Sequence, residues 1–130
     1  MVSVICVAML SYILQQSPET KDHIAASFTE PARAEYSKGH LAESEAFLVE
    51  ALYNIPQIDG PERGRILSDL GDVYVNEDQL PKAEQVYAQA LAIYKRLGDN
   101  TGMAKMLRNF GALYSLQRRN VEAVRAWKSL

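Results

Sequence analysis

Residues 70–74 read Leu-Gly-Asp-Val-Tyr, and forty residues later 110–114 read Phe-Gly-Ala-Leu-Tyr. Each run is followed at matching distance by a small residue, an aromatic and another apolar residue: Ala83, Tyr87 and Ala90, then Ala123, Trp127 and Leu130. Leu67 and Leu107 fall into the same register upstream. A fixed period that carries small and large apolar residues in a fixed order marks a repeat array. Leu67, Leu70, Gly71 and Tyr74 recur at three- and four-residue spacing and so share one face of a helix. Ala83, Val86, Tyr87, Ala90 and Leu91 do the same on the next helix. The pattern predicts hairpins in which Gly71, Ala83 and Ala90 let two backbones approach, while Tyr74 and Tyr87 fill the space beside them. A Gly inside a helix costs roughly 1 kcal/mol against Ala, so Gly71 and Gly111 both imply a packing reason. One hairpin cannot bury its apolar face alone, and neighbouring repeats must supply the rest.

A third, degenerate copy lies upstream. Leu41-Ala-Glu-Ser-Glu-Ala-Phe-Leu-Val-Glu-Ala-Leu52 aligns with Leu80–Leu91, placing Ser44, Leu48 and Ala51 where Ala83, Tyr87 and Ala90 stand. Its first helix is poor, with Pro31, Ala32 and Glu35 at the places of Leu70, Gly71 and Tyr74. Ser17-Pro18-Glu19 is a helix start, with Ser as N-cap and Pro at the first helical position, and predicts a short helix to about Ser27. Pro31 then opens the first helix of the degenerate repeat, and Gly39 ends it. Further helices are expected over 41–53, 62–77, 80–97, 101–117 and 120–130, with Arg118-Arg119 in the last turn. The links 54–64 and 97–103 carry turn chemistry in Ile-Asp-Gly-Pro-Glu-Arg-Gly and Leu-Gly-Asp-Asn-Thr-Gly. The expected fold is therefore all-α, a solenoid of stacked antiparallel helix hairpins. It divides into an apolar segment (1–16), an N-terminal helix with the degenerate repeat (17–58), a second repeat (64–97) and a third (104–130) that is incomplete at its C-terminal end.

The order apolar-Gly-x-x-Tyr, then Ala, aromatic and Ala, resembles the tetratricopeptide repeat. The spacing of about 39 and 40 residues exceeds that family's usual period of about 34. Such stretched repeats look like those of kinesin light chains, and Ala104-Lys-Met-Leu-Arg-Asn-Phe-Gly-Ala-Leu-Tyr-Ser-Leu-Gln117 is similar to their first helix. The resemblance implies a non-catalytic protein-interaction module that needs no cofactor and binds a peptide or a partner helix. Its groove would be lined by the first helix of each hairpin. That places Arg65, Ser68, Asp69, Asp72 and Asn76 there from the second repeat, and Lys105, Arg108, Asn109, Ala112 and Ser115 from the third. Thr29, Glu30, Arg33 and Ser37 would follow from the first. Asn109 resembles the groove Asn of kinesin light chains, whose amide can meet both donor and acceptor of an extended peptide backbone. Asp69 takes that place in the second repeat and can only accept. Lys105 and Arg108 suit acidic groups on a partner. The carboxylate clamp of the family's chaperone cofactors needs a Lys/Asn pair on the first repeat, which is missing here.

A net charge of −2 gives no electrostatic reason to expect nucleic acid or an anionic membrane as partner. No Gly-rich phosphate loop, Gly-x-Ser-x-Gly or CxxC occurs. His23 and His40 lack metal-ligand spacing to other Cys, His or acidic residues, so neither a metal nor a small-molecule substrate is expected. Carboxylates at Glu43/Glu45 and Glu77/Asp78 read as solvated faces or helix-start charges. The single cysteine, Cys6, excludes an internal disulfide. Residues 2–14 are apolar on every side. They suit the core of a secretory signal, which would make the chain exported or membrane-tethered, a helix buried over the first repeat, or the tail of a longer leader. Leu130 aligns with Ala90, so no polar capping helix follows the last repeat. That predicts either a fragment of a longer array, such as the regulatory part of an enzyme or signalling protein, or self-association through the uncapped end.

Overall fold

The computed structural model describes residues 6–10, 18–54 and 60–128. Every regular element among them is an α-helix: α1 Pro18–Ser37, α2 Leu41–Asn54, α3 Pro61–Asn76, α4 Leu80–Leu97 and α5 Asn100–Lys128. Residues 6–10 are also helical, and Val7, Met9 and Leu10 in that stretch are exposed rather than packed over the first repeat. Among the described residues no helix is long and apolar enough to cross a membrane.

Consecutive helices pack antiparallel, and α3 also touches both α1 and α5. The result is two layers, with α1, α3 and α5 inside and α2 and α4 outside. Residue size sets the spacing. Ala51, Ala83 and Ala90 are completely buried. A Cβ placed on Gly71 would lie only 2.5 Å from Cδ1 of Tyr87, so this glycine is what lets the Tyr87 ring lie across α3. Gly64 and Gly102 grip Tyr94 in the same manner, one from α3 and one from α5. Both had read as turn glycines, yet both lie inside helices. They join the second hairpin to the helix that follows. Ser44, which stands where Ala83 does, is buried and donates to the Ala32 carbonyl at 2.7 Å.

Three helices end in one device. The amide of His40 reaches the Glu35 carbonyl at 2.9 Å, that of Gln79 reaches Tyr74 at 2.8 Å, and that of Asp99 reaches Tyr94 at 2.9 Å. In each case the residue before the donor turns left-handed: Gly39 at φ 82°, Asp78 at φ 60° and Gly98 at φ 67°. This six-to-one closure is the Schellman stop, and it needs a residue that tolerates positive φ. Asp99 then caps α5, accepting from the Gly102 amide at 3.0 Å.

Two expected boundaries are absent. α1 runs through Pro31 without a break. An interior Pro costs a helix about 3 kcal/mol, but Ala25, Phe28 and Ala32 lie along its buried side and packing against α2 outweighs that loss. The third repeat is not a hairpin. Residues 101–117 and 120–130 were expected as two helices, whereas α5 is a continuous helix of 29 residues. The place of Asp78, whose left-handed turn closes the second hairpin, is held here by Arg118. Left-handed backbone costs ordinary L-residues about 1–2 kcal/mol, and Arg118 instead pairs with Glu122 one helical turn on, at 3.2 Å. Gly111 consequently meets nothing: a Cβ built there has no neighbour within 4 Å.

Candidate peptide-binding groove

The inner helices bound a chain of three openings. The first, about 290 Å3, lies between α1 and α3 and is lined by Thr29, Glu30, Arg33, Glu62 and Arg65. Arg33 also borders the second, about 210 Å3, beside Tyr36, Asp69 and Asp72. Tyr36 and Asp72 in turn border the third, about 180 Å3, with Asn76, Asn109 and Ala112. Shared residues make them one trough running from α1 across α3 to α5.

Asp72 is its electrostatic centre. The Tyr87 hydroxyl donates to Asp72 Oδ1 at 2.5 Å, and the Asn109 amide reaches the same oxygen at 3.5 Å. Burial pushes the Asp72 carboxyl above its usual range. The Tyr87 hydrogen bond and the Lys105 charge pull it down without cancelling that shift, and Asp69 adds to it. Tyr87 is raised in turn, by its own burial and then by its hydrogen bond to Asp72 and that residue's charge, so the phenol stays the donor. Asn76 donates to the Tyr36 hydroxyl at 2.6 Å and to the Asp72 carbonyl at 2.8 Å. This ties α1 to α3 across the trough floor. Arg33 reaches Asp69 at 3.4 Å from the same side.

Most of the residues expected in the groove border this trough. Arg65, Asp69, Asp72, Asn76, Asn109 and Ala112 line one of the three openings. Lys105 and Arg108 are exposed on α5, and Arg65 lies 3.7 Å from Glu62. Ser68 does not reach the surface. It is completely buried, and its Oγ has no hydrogen-bond partner among the described residues. Helical period alone had turned it outward. Ser115 is exposed but donates back to the Gly111 carbonyl at 3.0 Å. Ser37 does likewise to Ala34 at 2.8 Å.

Sequence reasoning missed Tyr36 and the hydroxyl of Tyr87. Tyr36 sits in the poorly matched first helix. Tyr87 had read purely as core filling, although its ring end emerges beside Asp72. His40 rests on Glu35 at 2.7 Å; this contact and Lys38 hold that carboxyl below the usual range. Glu77 is not a solvated charge. Its half-buried carboxyl is raised by burial and by the neighbouring Glu45.

Neither the curated proteins nor the solved structures include a match to this chain. A family model described as tetratricopeptide repeat matches residues 62–126, half of its length. That span takes in the Gly71–Tyr87 joint, α4 and most of α5. On this match and on its two layers of antiparallel helices, the chain belongs to the tetratricopeptide-repeat family, whose arrays serve in general as protein-interaction modules.

Proposed function

We propose that the chain is a non-catalytic binding module that holds an extended polypeptide segment along the trough formed by α1, α3 and α5. The observation that carries this reading is the continuity of the three openings through Arg33, Tyr36 and Asp72. A channel that long suits a chain, whereas a compact metabolite would want one deep pocket. The Asn109 amide makes a long contact, 3.5 Å, to Asp72. Its amide can therefore turn to a peptide backbone at small cost and supply both a donor and an acceptor. Asp69 and Asp72 make the middle acidic, and Lys105 and Arg108 make the α5 end basic. A bound segment would thus carry a basic side chain near α3 and an acidic one near α5.

The test is binding of peptides selected from a displayed random library. Loss of a buried amide pairing costs about 1–3 kcal/mol, so Asn109→Ala should weaken binding at any ionic strength. Lys105→Ala, at the exposed rim, should act mainly on association rate and mainly at low salt. Affinity unchanged by Asn109→Ala and Asp69→Ala together would place the contact on another surface.

A further inference from the structure

Arg33 stands between the first and second openings of the trough and lines both. Its guanidinium reaches Asp69 at 3.4 Å, while its side chain stays 62% exposed. Exposed ion pairs of this kind contribute little. Glu30, one turn back on α1, and Glu62 on α3 line the first opening beside it. Arg33 can therefore swing from Asp69 toward those carboxylates at small cost. The other walls of the second opening lack this freedom. The Tyr36 hydroxyl accepts from Asn76 at 2.6 Å, and Asp72 accepts from Tyr87, so an aromatic ring and a second carboxylate are fixed in place. Leu48 and Val73, each 1% exposed, close the floor beneath them.

The field in this opening is negative. Burial pushes the Tyr36 hydroxyl above its usual range, and the charges of Asp72 and Asp69 push it further, against the opposing hydrogen bond from Asn76. Asp69 acts on Asp72 in the same sense. Two carboxylates one turn apart on α3 thus disfavour further negative charge around them, a strain that a cation relieves. The chain itself already brings one there, the guanidinium of Arg33.

We propose that the second opening takes one basic side chain of the bound segment, lysyl or arginyl, between Asp69, Asp72 and the Tyr36 ring, and that Arg33 is its built-in competitor. This rests on the trough reading above and adds to it a residue class and a displacement. The incoming stem lies along Tyr36, which is 38% exposed, and its charge meets the two carboxylates. A cation beside such a ring gains further from the π face. An acidic side chain meets like charge there, and an apolar one strips water from the carboxylates without replacing it, so both are rejected. Arg33, once displaced, turns to Glu30 and Glu62. Uncharged segments cannot displace it, and Arg33 thereby sets a threshold for what enters.

The probe is n-pentylammonium, a lysyl stem and charge with no peptide backbone. Titrated at constant ionic strength into the full chain labelled with 15N and methyl 13C, it should shift the Leu48 and Val73 methyls and the Asp69 and Asp72 amides. Its Kd should fall in the millimolar range that a ligand this small can reach. n-Pentylguanidinium represents the arginyl form, and whichever cation binds tighter names the side chain. n-Pentanol and pentanoate, the same stem neutral and negative, should bind about tenfold more weakly or not at all. Asp69→Asn should weaken the ammonium about tenfold, as loss of a charge-assisted contact does. Asp72→Asn, which keeps an acceptor for Tyr87, should act in the same direction. Arg33→Ala should tighten it about threefold, the usual contribution of an exposed ion pair. The ligand series on the unmodified chain carries the test even where a variant fails to fold. Shifts from pentanol or pentanoate equal to those from the ammonium, silence of Leu48 and Val73 toward both cations, or weaker cation binding in Arg33→Ala would overturn the proposal. Such a failure leaves the trough itself standing, because Asn109→Ala with a display-selected peptide tests that separately.

Discussion

Gly71→Ala probes the joint on which the second hairpin depends. A methyl group there would run into Cε1 of Tyr87 and lie 2.5 Å from its Cδ1, where carbon pairs rest at about 3.5–4.0 Å. The ring must move by about 1 Å or the helices must part. Neither is free. Tyr87 is 3% exposed, Phe110 packs edge-on against it with centroids 5.9 Å apart, and its hydroxyl is committed to Asp72. Overpacking of this kind costs about 1–3 kcal/mol, and weakening a hydrogen bond to a charged acceptor takes about 1 kcal/mol more. Replacing a helical Gly by Ala returns about 1 kcal/mol. The net expectation is a loss of about 2 kcal/mol. Urea unfolding followed at 222 nm should therefore show the midpoint falling by roughly 1 M, for a slope of about 1–3 kcal/mol per molar. Two measurements complete the cycle: Tyr87→Leu alone, and Tyr87→Leu with Gly71→Ala. In the Leu background the added methyl should be neutral or stabilising. If Gly71→Ala stabilises the parent protein by its full propensity gain, the close approach of α4 to α3 is wrong.

Further outcomes follow from single side chains. Ser68→Ala removes a buried hydroxyl that has no partner among the described residues, so chemical denaturation should show a gain of about 1 kcal/mol. Asp78→Gly relieves a left-handed non-glycine residue and should add about 0.5–1 kcal/mol by the same assay, whereas Asp78→Val should cost more than it gains. Asp72 has a folded-state pKa above its unfolded value. Its contribution to stability is thus fully present below about pH 4 and lost as pH rises through the folded pKa. Thermal unfolding from pH 3.5 to 7 should show Asp72→Asn gaining on the parent protein as pH rises; a parallel pair of curves would mean that Asp72 is not desolvated.

The hairpin unit was legible in the sequence because its period and its size alternation are local. Leu67, Gly71, Ala83, Tyr87 and Ala90 each state a face and a volume without reference to distant residues. The same signature at Leu107, Gly111 and Tyr114 was read as a further hairpin, incomplete at its C-terminal end, whereas α5 runs straight on through the expected turn. What decides that is one backbone dihedral at position 118, where Arg replaces a residue suited to positive φ. Gly64 and Gly102 misled in the opposite direction. Glycine between turn residues reads as a turn, and only the ring of Tyr94 between them reveals two close helix approaches. Pro31 failed as a boundary because burial of Ala32 and its neighbours outweighed local preference. Asp69, Asp72, Asn76 and Asn109, which the spacing on α3 and α5 turns outward, line the second and third openings. Ser68 was misplaced because period says which way a side chain points and nothing about what covers it, and Ser68 is completely buried. Tyr36 was lost because its helix carries too little of the repeat signature.

The central reading, an interaction module whose inner helices form one continuous trough, is most directly tested by amide and side-chain chemical-shift mapping. Uniformly 15N-labelled chain would be titrated with a display-selected peptide. The account predicts perturbations concentrated on the trough, at Tyr36, Asp69, Asp72, Asn76, Asn109 and Ala112, with the Asn76 and Asn109 side-chain amides among the largest. Perturbations confined to the outer surfaces of α2 and α4, at residues such as Val49, Tyr53 and Gln85, would contradict it.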